Sequence, residues 1–142
     1  MNTTKIFIGG IAAGVTYFLL GYLAYGVLLT NYMHKFEPMP GVDRSMNMLV
    51  FWALIVGNLF FGFAISYAVN RSGASVTSGF ATGFVIGFLF SAGFDFTMYA
   101  TSNVISLHQV AADAIAFTII SAIAGAVVGA ICKPRTVNVV TA

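Results

Sequence analysis

The chain has 142 residues, 59% of them hydrophobic and only 7% charged, with a mean hydropathy of +0.95. A soluble domain carries about 25% charged residues because its surface faces water, so six basic and four acidic side chains cannot coat a water-soluble fold of this size. The net charge of +2 comes from scattered bases with no Lys/Arg cluster to neutralise phosphates, which argues against nucleic acid as a partner.

In hydrocarbon, backbone polar groups must bond within their own segment, so a spanning helix needs about 20 mainly apolar residues. Four stretches meet that length. They predict an all-α fold: an integral membrane four-helix bundle with antiparallel up-down connectivity, forming one domain over residues 1–142 with the lipid bilayer as its solvent. The first span, Ile6–Thr30, runs 25 residues without a charge. That exceeds the ~7–15 apolar residues of a secretory leader, and the segment reads as a retained span. It carries Gly10 and Gly14, and its Tyr22 and Tyr25 suit interfacial anchors, as does Trp52 in the next span.

The connection Asn31–Ser45 holds His34, Lys35, Glu37, Asp43 and Arg44, and its two prolines and a glycine predict an ordered turn. The second span, Met46–Val69, begins near Asn47 and places Asn58 near mid-membrane, where its amide needs a partner. A short turn with Arg71, Ser72 and Gly73 leads to the third span, Ser75–Tyr99. The connection to the fourth span, Gln109–Cys132, contains Thr101, Ser102, Asn103 and His108. Cys132 is the sole cysteine, which leaves no internal disulfide or Cys-rich zinc site, and it reads as a small apolar residue near a helix end.

With four spans, Lys5, Arg71, Lys133 and Arg135 share one side, against Lys35 and Arg44 on the other. Cytoplasmic flanks are enriched in such bases, so both termini are expected in the cytoplasm.

Between helices in lipid, close approach rather than hydrophobicity selects the contact, and small residues mark it. The third span has an unbroken four-residue ladder, Ser75, Gly79, Gly83, Gly87 and Ser91, and the fourth has Ser121, Gly125 and Gly129. These are the expected packing residues, with Phe80, Phe84, Phe88 and Phe90 filling volume against neighbours or lipid. The ladder drifts about 40° per step on a 3.6-residue helix, which implies crossing helices.

Two acids fall inside the predicted spans. An aspartate at mid-membrane costs roughly 2.5–3.5 kcal/mol on insertion scales, so Asp95 and Asp113 need explaining. Each lies about four residues inside its span, at matching depth on antiparallel helices, roughly 6 Å from the ends. Asp95 extends the ladder one step beyond Ser91, and Asp113 lies about 80° off the Ser121 rung. The two can share one pocket beneath the first and third connections, expected on the outer side, with Tyr99, Thr101, Asn103 and His108 as neighbours and His34, Glu37 and Asp43 from the first connection. Three chemistries fit the set. The acids accept hydrogen bonds that fix the last loop, they form a proton or cation site titrating as a pair, or they join His34 and His108 in a metal or catalytic centre. No H-x-x-x-H, H-E-x-x-H or C-x-x-C spacing supports a metal, and none is expected.

The stretches Gly14–Gly26 (GVTYFLLGYLAYG) and Tyr99–Asp113 (YATSNVISLHQVAAD) resemble segments of small bacterial four-helix membrane proteins grouped as domains of unknown function. Their Tyr-rich first helix and Tyr-x-Thr-x-Asn turn before an intramembrane Asp correspond to Tyr99, Thr101, Asn103 and Asp113 here. The tryptophan that often follows the aspartate in them is missing here, where Ala114–Ala116 is followed by Phe117. The resemblance implies the fold and a bacterial cytoplasmic membrane, and no substrate.

With no nucleophile–base pair, phosphate loop or cofactor signature, the leading expectation is a non-enzymatic structural, regulatory or accessory subunit without a cofactor, in a homo-oligomer or larger membrane assembly. The alternative is a small proton- or cation-coupled transporter or channel subunit using Asp95 and Asp113. A second alternative is a membrane enzyme acting on a lipid-soluble substrate.

Overall fold

The computed structural model describes residues 2–133; Arg135, one of the bases counted above, lies outside them. It is an all-helical bundle with no strand among those residues. Helix α1 (Thr3–Gly21) continues as a π-helical turn through Leu28 and then as a short helix, α2 (Thr30–Lys35). The three further spans are α3 (Phe51–Arg71), α4 (Val76–Thr101) and α5 (Leu107–Ile131). The four long apolar segments, α1 with its π turn, α3, α4 and α5, hold 26, 21, 26 and 25 residues. At 1.5 Å per residue even the shortest reaches about 30 Å, the thickness of a bilayer's hydrocarbon. Large apolar side chains face outward, with Trp52 72% and Phe60 71% exposed. Such a surface is stable in lipid and not in water; the chain is a four-span membrane protein.

Local chemistry sets the helix ends. Ser75 and Ser78 exchange bonds at the start of α4, each backbone N–H donating to the other's hydroxyl at 3.0 Å. At α5, the Gln109 N–H donates to Ser106 Oγ at 3.3 Å and the Ser106 N–H donates to Gln109 Oε1 at 2.9 Å. These reciprocal caps satisfy otherwise orphaned donors. The second lengthens the last span by two residues over the predicted Gln109 start. The second span, by contrast, starts later than Met46: Met46–Met48 form a 3-10 turn and Leu49 is extended. There Asn47 Oδ1 accepts from Ser45 Oγ at 2.6 Å rather than joining a helix. Part of the expected loop is instead helical, as α2.

The chain alternates direction. Gly9 and Gly10 of α1 face Ser66 and Phe63 of α3, while Gly14 faces Leu59. Gly79 and Gly83 of α4 face Gly125 and Ser121 of α5. Both pairs are antiparallel. The N-terminus, the α3–α4 turn and the end of α5 therefore share a proximal face; α2, the first connection and the α4–α5 turn form the distal face. Lys5 joins the proximal ends, its ammonium donating to the carbonyls of Cys132 at 2.9 Å and Lys133 at 3.2 Å, where a helix C-terminus favours a cation. The bundle is two close pairs, α1 with α3 and α4 with α5, joined mainly along α1 and α5. Its core is Ala13, Tyr17, Ile65, Val69, Ile120, Ala124, Val128 and Cys132.

Candidate functional site: a bridged carboxyl pair in the membrane

The α4–α5 seam is a contact of backbones. A Cβ at Gly79 would run into the Gly125 carbonyl, one at Gly83 into the Ser121 carbonyl, and one at Gly129 into that of Ser75. Only glycine permits this approach. Ser121 carries a second role: its hydroxyl accepts from Tyr17 Oη at 2.7 Å in the buried interior, tying α1 to the seam. The stripe of α4 that closes the seam is Gly79, Gly83, Gly87, Ser91 and Asp95, all buried.

At the distal end of that stripe the two intramembrane acids meet across a serine. Ser91 Oγ stands 3.0 Å from Asp95 Oδ2 and 2.7 Å from Asp113 Oδ2. Ser91 precedes Asp95 by four residues, so both project from one face of α4, and the antiparallel pairing brings Asp113 of α5 opposite. Asp95 is 5% exposed and Asp113 half-buried. Each acid lies six residues from its helix end, because α4 runs on to Thr101 and α5 starts at Leu107. That is roughly 9 Å deep, rather than the shallower site expected from the sequence.

Hydrogen counting defines what this arrangement can do. A serine hydroxyl has one hydrogen and here stands at bonding distance from two carboxyl oxygens. It can donate to one of them; the other contact is a hydrogen bond only if that carboxyl carries a proton and donates to Ser91 Oγ. With both acids ionised, one oxygen–oxygen approach would go uncompensated in a medium of low polarity. The geometry suits two carboxyls that hold one acid proton between them, in addition to the serine's own hydrogen.

A further group faces the pair. Tyr25 Oη is buried without a hydrogen-bond partner and lies within electrostatic reach of both Asp113 and Asp95. The sequence suggested a membrane-surface anchor at this position; the hydroxyl is instead turned inward. It sits on the π-helical turn Tyr22–Leu28, where the Leu29 N–H donates to Ala24 O at 2.7 Å and the Thr30 hydroxyl donates to Tyr25 O at 2.7 Å. Inserting a residue into the helical ladder re-aims the side chains beyond it, and such turns recur at functional sites.

The other expected neighbours do not join the acids. Tyr99, Thr101, Asn103 and His108 are exposed; Thr101 donates to Thr97 O at 2.8 Å, and His108 stacks on Phe36 with ring centroids 4.3 Å apart. Gln109 donates to Met33 O at 3.2 Å and so fastens α2 to α5. In the first connection His34 Nδ1 lies 3.3 Å from Glu37 Oε2, and Asp43 is exposed. Among the described residues, no three His, Cys, Asp or Glu side chains converge as metal ligands. Asn58 is served within its own helix, its amide donating to Leu54 O at 2.8 Å.

Comparison with family models, curated proteins and solved structures finds no match for this chain. What is shown is a four-span helical membrane protein with two carboxyls bridged inside the span.

Proposed function

We propose that this protein is a small proton-coupled membrane transporter or channel subunit whose proton site is Asp95, Ser91 and Asp113, with Tyr25 beside it. The single observation that carries this reading is the position of Ser91 Oγ between Asp95 and Asp113, where one hydroxyl hydrogen can satisfy only one of two carboxyl oxygens and the other contact calls for a carboxyl proton. Ionisable groups inside spans are expensive and mark proton or ion pathways. The bridged acids touch the same hydroxyl, which suits a proton better than a hydrated metal ion. A four-helix protomer with so tight an α4–α5 seam has little room for a pore, so the transporting unit is an oligomer or part of a larger assembly. Lys5, Arg71 and Lys133 on the proximal face, against Lys35 and Arg44 on the distal one, support cytoplasmic termini. The resemblance of Gly14–Gly26 and Tyr99–Asp113 to the bacterial families supports a bacterial cytoplasmic membrane.

The test is proton uptake into liposomes containing the purified protein and an internal pH dye, after an acid jump with potassium and valinomycin to balance charge. Parent vesicles are expected to acidify faster than protein-free ones, and Asp95→Asn and Asp113→Asn vesicles to fall to the protein-free rate. Parent vesicles no faster than empty ones, or variants as fast as the parent, would overturn the proposal.

One observation favours a second reading, a structural or accessory subunit: Ser91 bonds across α4 and α5 at the end of the glycine seam, so the acids also clasp two helices. On that reading the Asp→Asn proteins lose stability while the parent moves no protons. His108 and His34 lie apart from the acids in separate contacts, and nothing in the geometry favours the enzyme reading.

A further inference from the structure

Helix α3 does not lie evenly on the bundle. Its buried residues, Gly62, Ile65, Ser66 and Val69, all lie in its proximal half. At the proximal end, Val69 and Ile65 are buried; Phe61 and Gly57 are half-buried, and Ala53 is exposed. From Phe51 to Val56 every residue is exposed, so the distal end of α3 stands away from the core on all sides. Phe61 forms the floor, its ring 5.7 Å from Phe90, 5.2 Å from Phe117 and 5.8 Å from Tyr17. Above it is a shallow, open hollow of about 530 Å³ lined by Leu49, Val50, Ala53, Leu54, Gly57 and Phe61, together with Asn58 and Arg44.

Two features distinguish this wedge from an ordinary lipid-facing surface. Gly57 is unlike the seam glycines: a Cβ there would meet no atom within 4 Å, so helix packing makes no use of it and it leaves the hollow open. Arg44 supplies the charge. Among the described residues it has no ion-pair partner, and it lines a hollow that is apolar but for Asn58. From Val50 to Phe61 the wedge extends over roughly 16 Å of helix rise, with a cation from the distal connection, where a bilayer presents its headgroups.

We propose that this wedge is a binding site for a phospholipid with an anionic headgroup, its acyl chain lying along Ala53, Gly57 and Phe61 and its phosphate on the Arg44 guanidinium. An arginine fork matches phosphate geometry bidentately, and basic residues at a membrane face select anionic lipid. The site stands apart from the carboxyl pair and does not depend on proton transport.

Trp52, the only tryptophan in the chain, is next to Ala53 and reports on lipid at the distal end of α3. The parent protein is reconstituted in phosphatidylcholine vesicles that contain a minor fraction of brominated phosphatidylglycerol or of brominated phosphatidylcholine, and Trp52 quenching is compared. The anionic lipid is expected to half-quench at about a fivefold lower mole fraction, the preference one cation confers. Arg44→Gln abolishes that preference while Lys35→Gln, on the same face, retains it. Gly57→Leu, which fills the hollow without meeting another helix, also abolishes it in protein of parental helicity. Equal quenching by the two lipids in the parent overturns the site. So does a preference that survives Arg44→Gln or Gly57→Leu, or one that Lys35→Gln removes equally.

Discussion

Helix α4 meets α5 with carbonyls against glycines, while α3, joined to α4 by a turn of only four residues, is exposed on all sides over Phe51–Val56 at its distal end. Both junctions are built of apolar helices, and both contain glycine. What separates them is pairing. Gly79 and Gly83 have small partners at matching heights on α5, whereas Gly57 faces no atom of another helix, and the rings of Phe61, Phe90 and Phe117 meet beneath it. In lipid the hydrophobic effect does not press helices together, so closure needs complementary surfaces on both sides. A glycine without a partner leaves a gap, and a gap in a bilayer is lipid-accessible.

Substitutions that treat the two junctions alike sharpen the contrast. Gly83→Leu forces a side chain into the Ser121 backbone, which cannot yield as a flexible side chain would. Its expected loss is about 3 kcal/mol, read from reversible unfolding in mixed micelles; a parental midpoint would mean the seam is looser than described. Ser91→Ala removes the hydroxyl shared by the two acids and is expected to cost about 1–2 kcal/mol. A double-mutant cycle with Asp113→Asn should show that most of this vanishes once the acid is gone. Tyr17→Phe removes the bond to Ser121 and should cost about 1 kcal/mol in the same assay. Smallest, and opposite in sign, is Gly57→Ala. With open space around the new methyl, it is expected to be neutral or to stabilise by up to about 1 kcal/mol, and a clear loss would place another helix against Gly57.

The spans were legible because hydrocarbon imposes length and polarity so strictly that composition alone reveals them. Boundaries were less so: Met46 looks helical in hydropathy, yet the chain enters α3 only at Phe51. Equal depth on antiparallel helices allowed Asp95 and Asp113 one pocket, but depth alone does not decide whether they meet. Ser91 was visible as a rung of the ladder, and its spacing of four from Asp95 was the overlooked signal that it bridges the acids. Tyr25 was not readable. Its direction depends on a π turn whose extra residue has no signature in periodicity, so it resembled an interfacial anchor. Gly62 was also missed: it packs on the backbone of Gly10 and Gly14 as closely as the α4 glycines pack on α5, but stands outside any glycine repeat.

The most direct test of a proton held between the two carboxyls is infrared spectroscopy of the reconstituted protein at neutral pH. The parent should show the C=O stretch of a protonated carboxylic acid, shifting on transfer to D₂O, and the Asp95→Asn/Asp113→Asn double variant should lack it. No such band in the parent, or the same band in the double variant, would contradict a shared proton across Ser91.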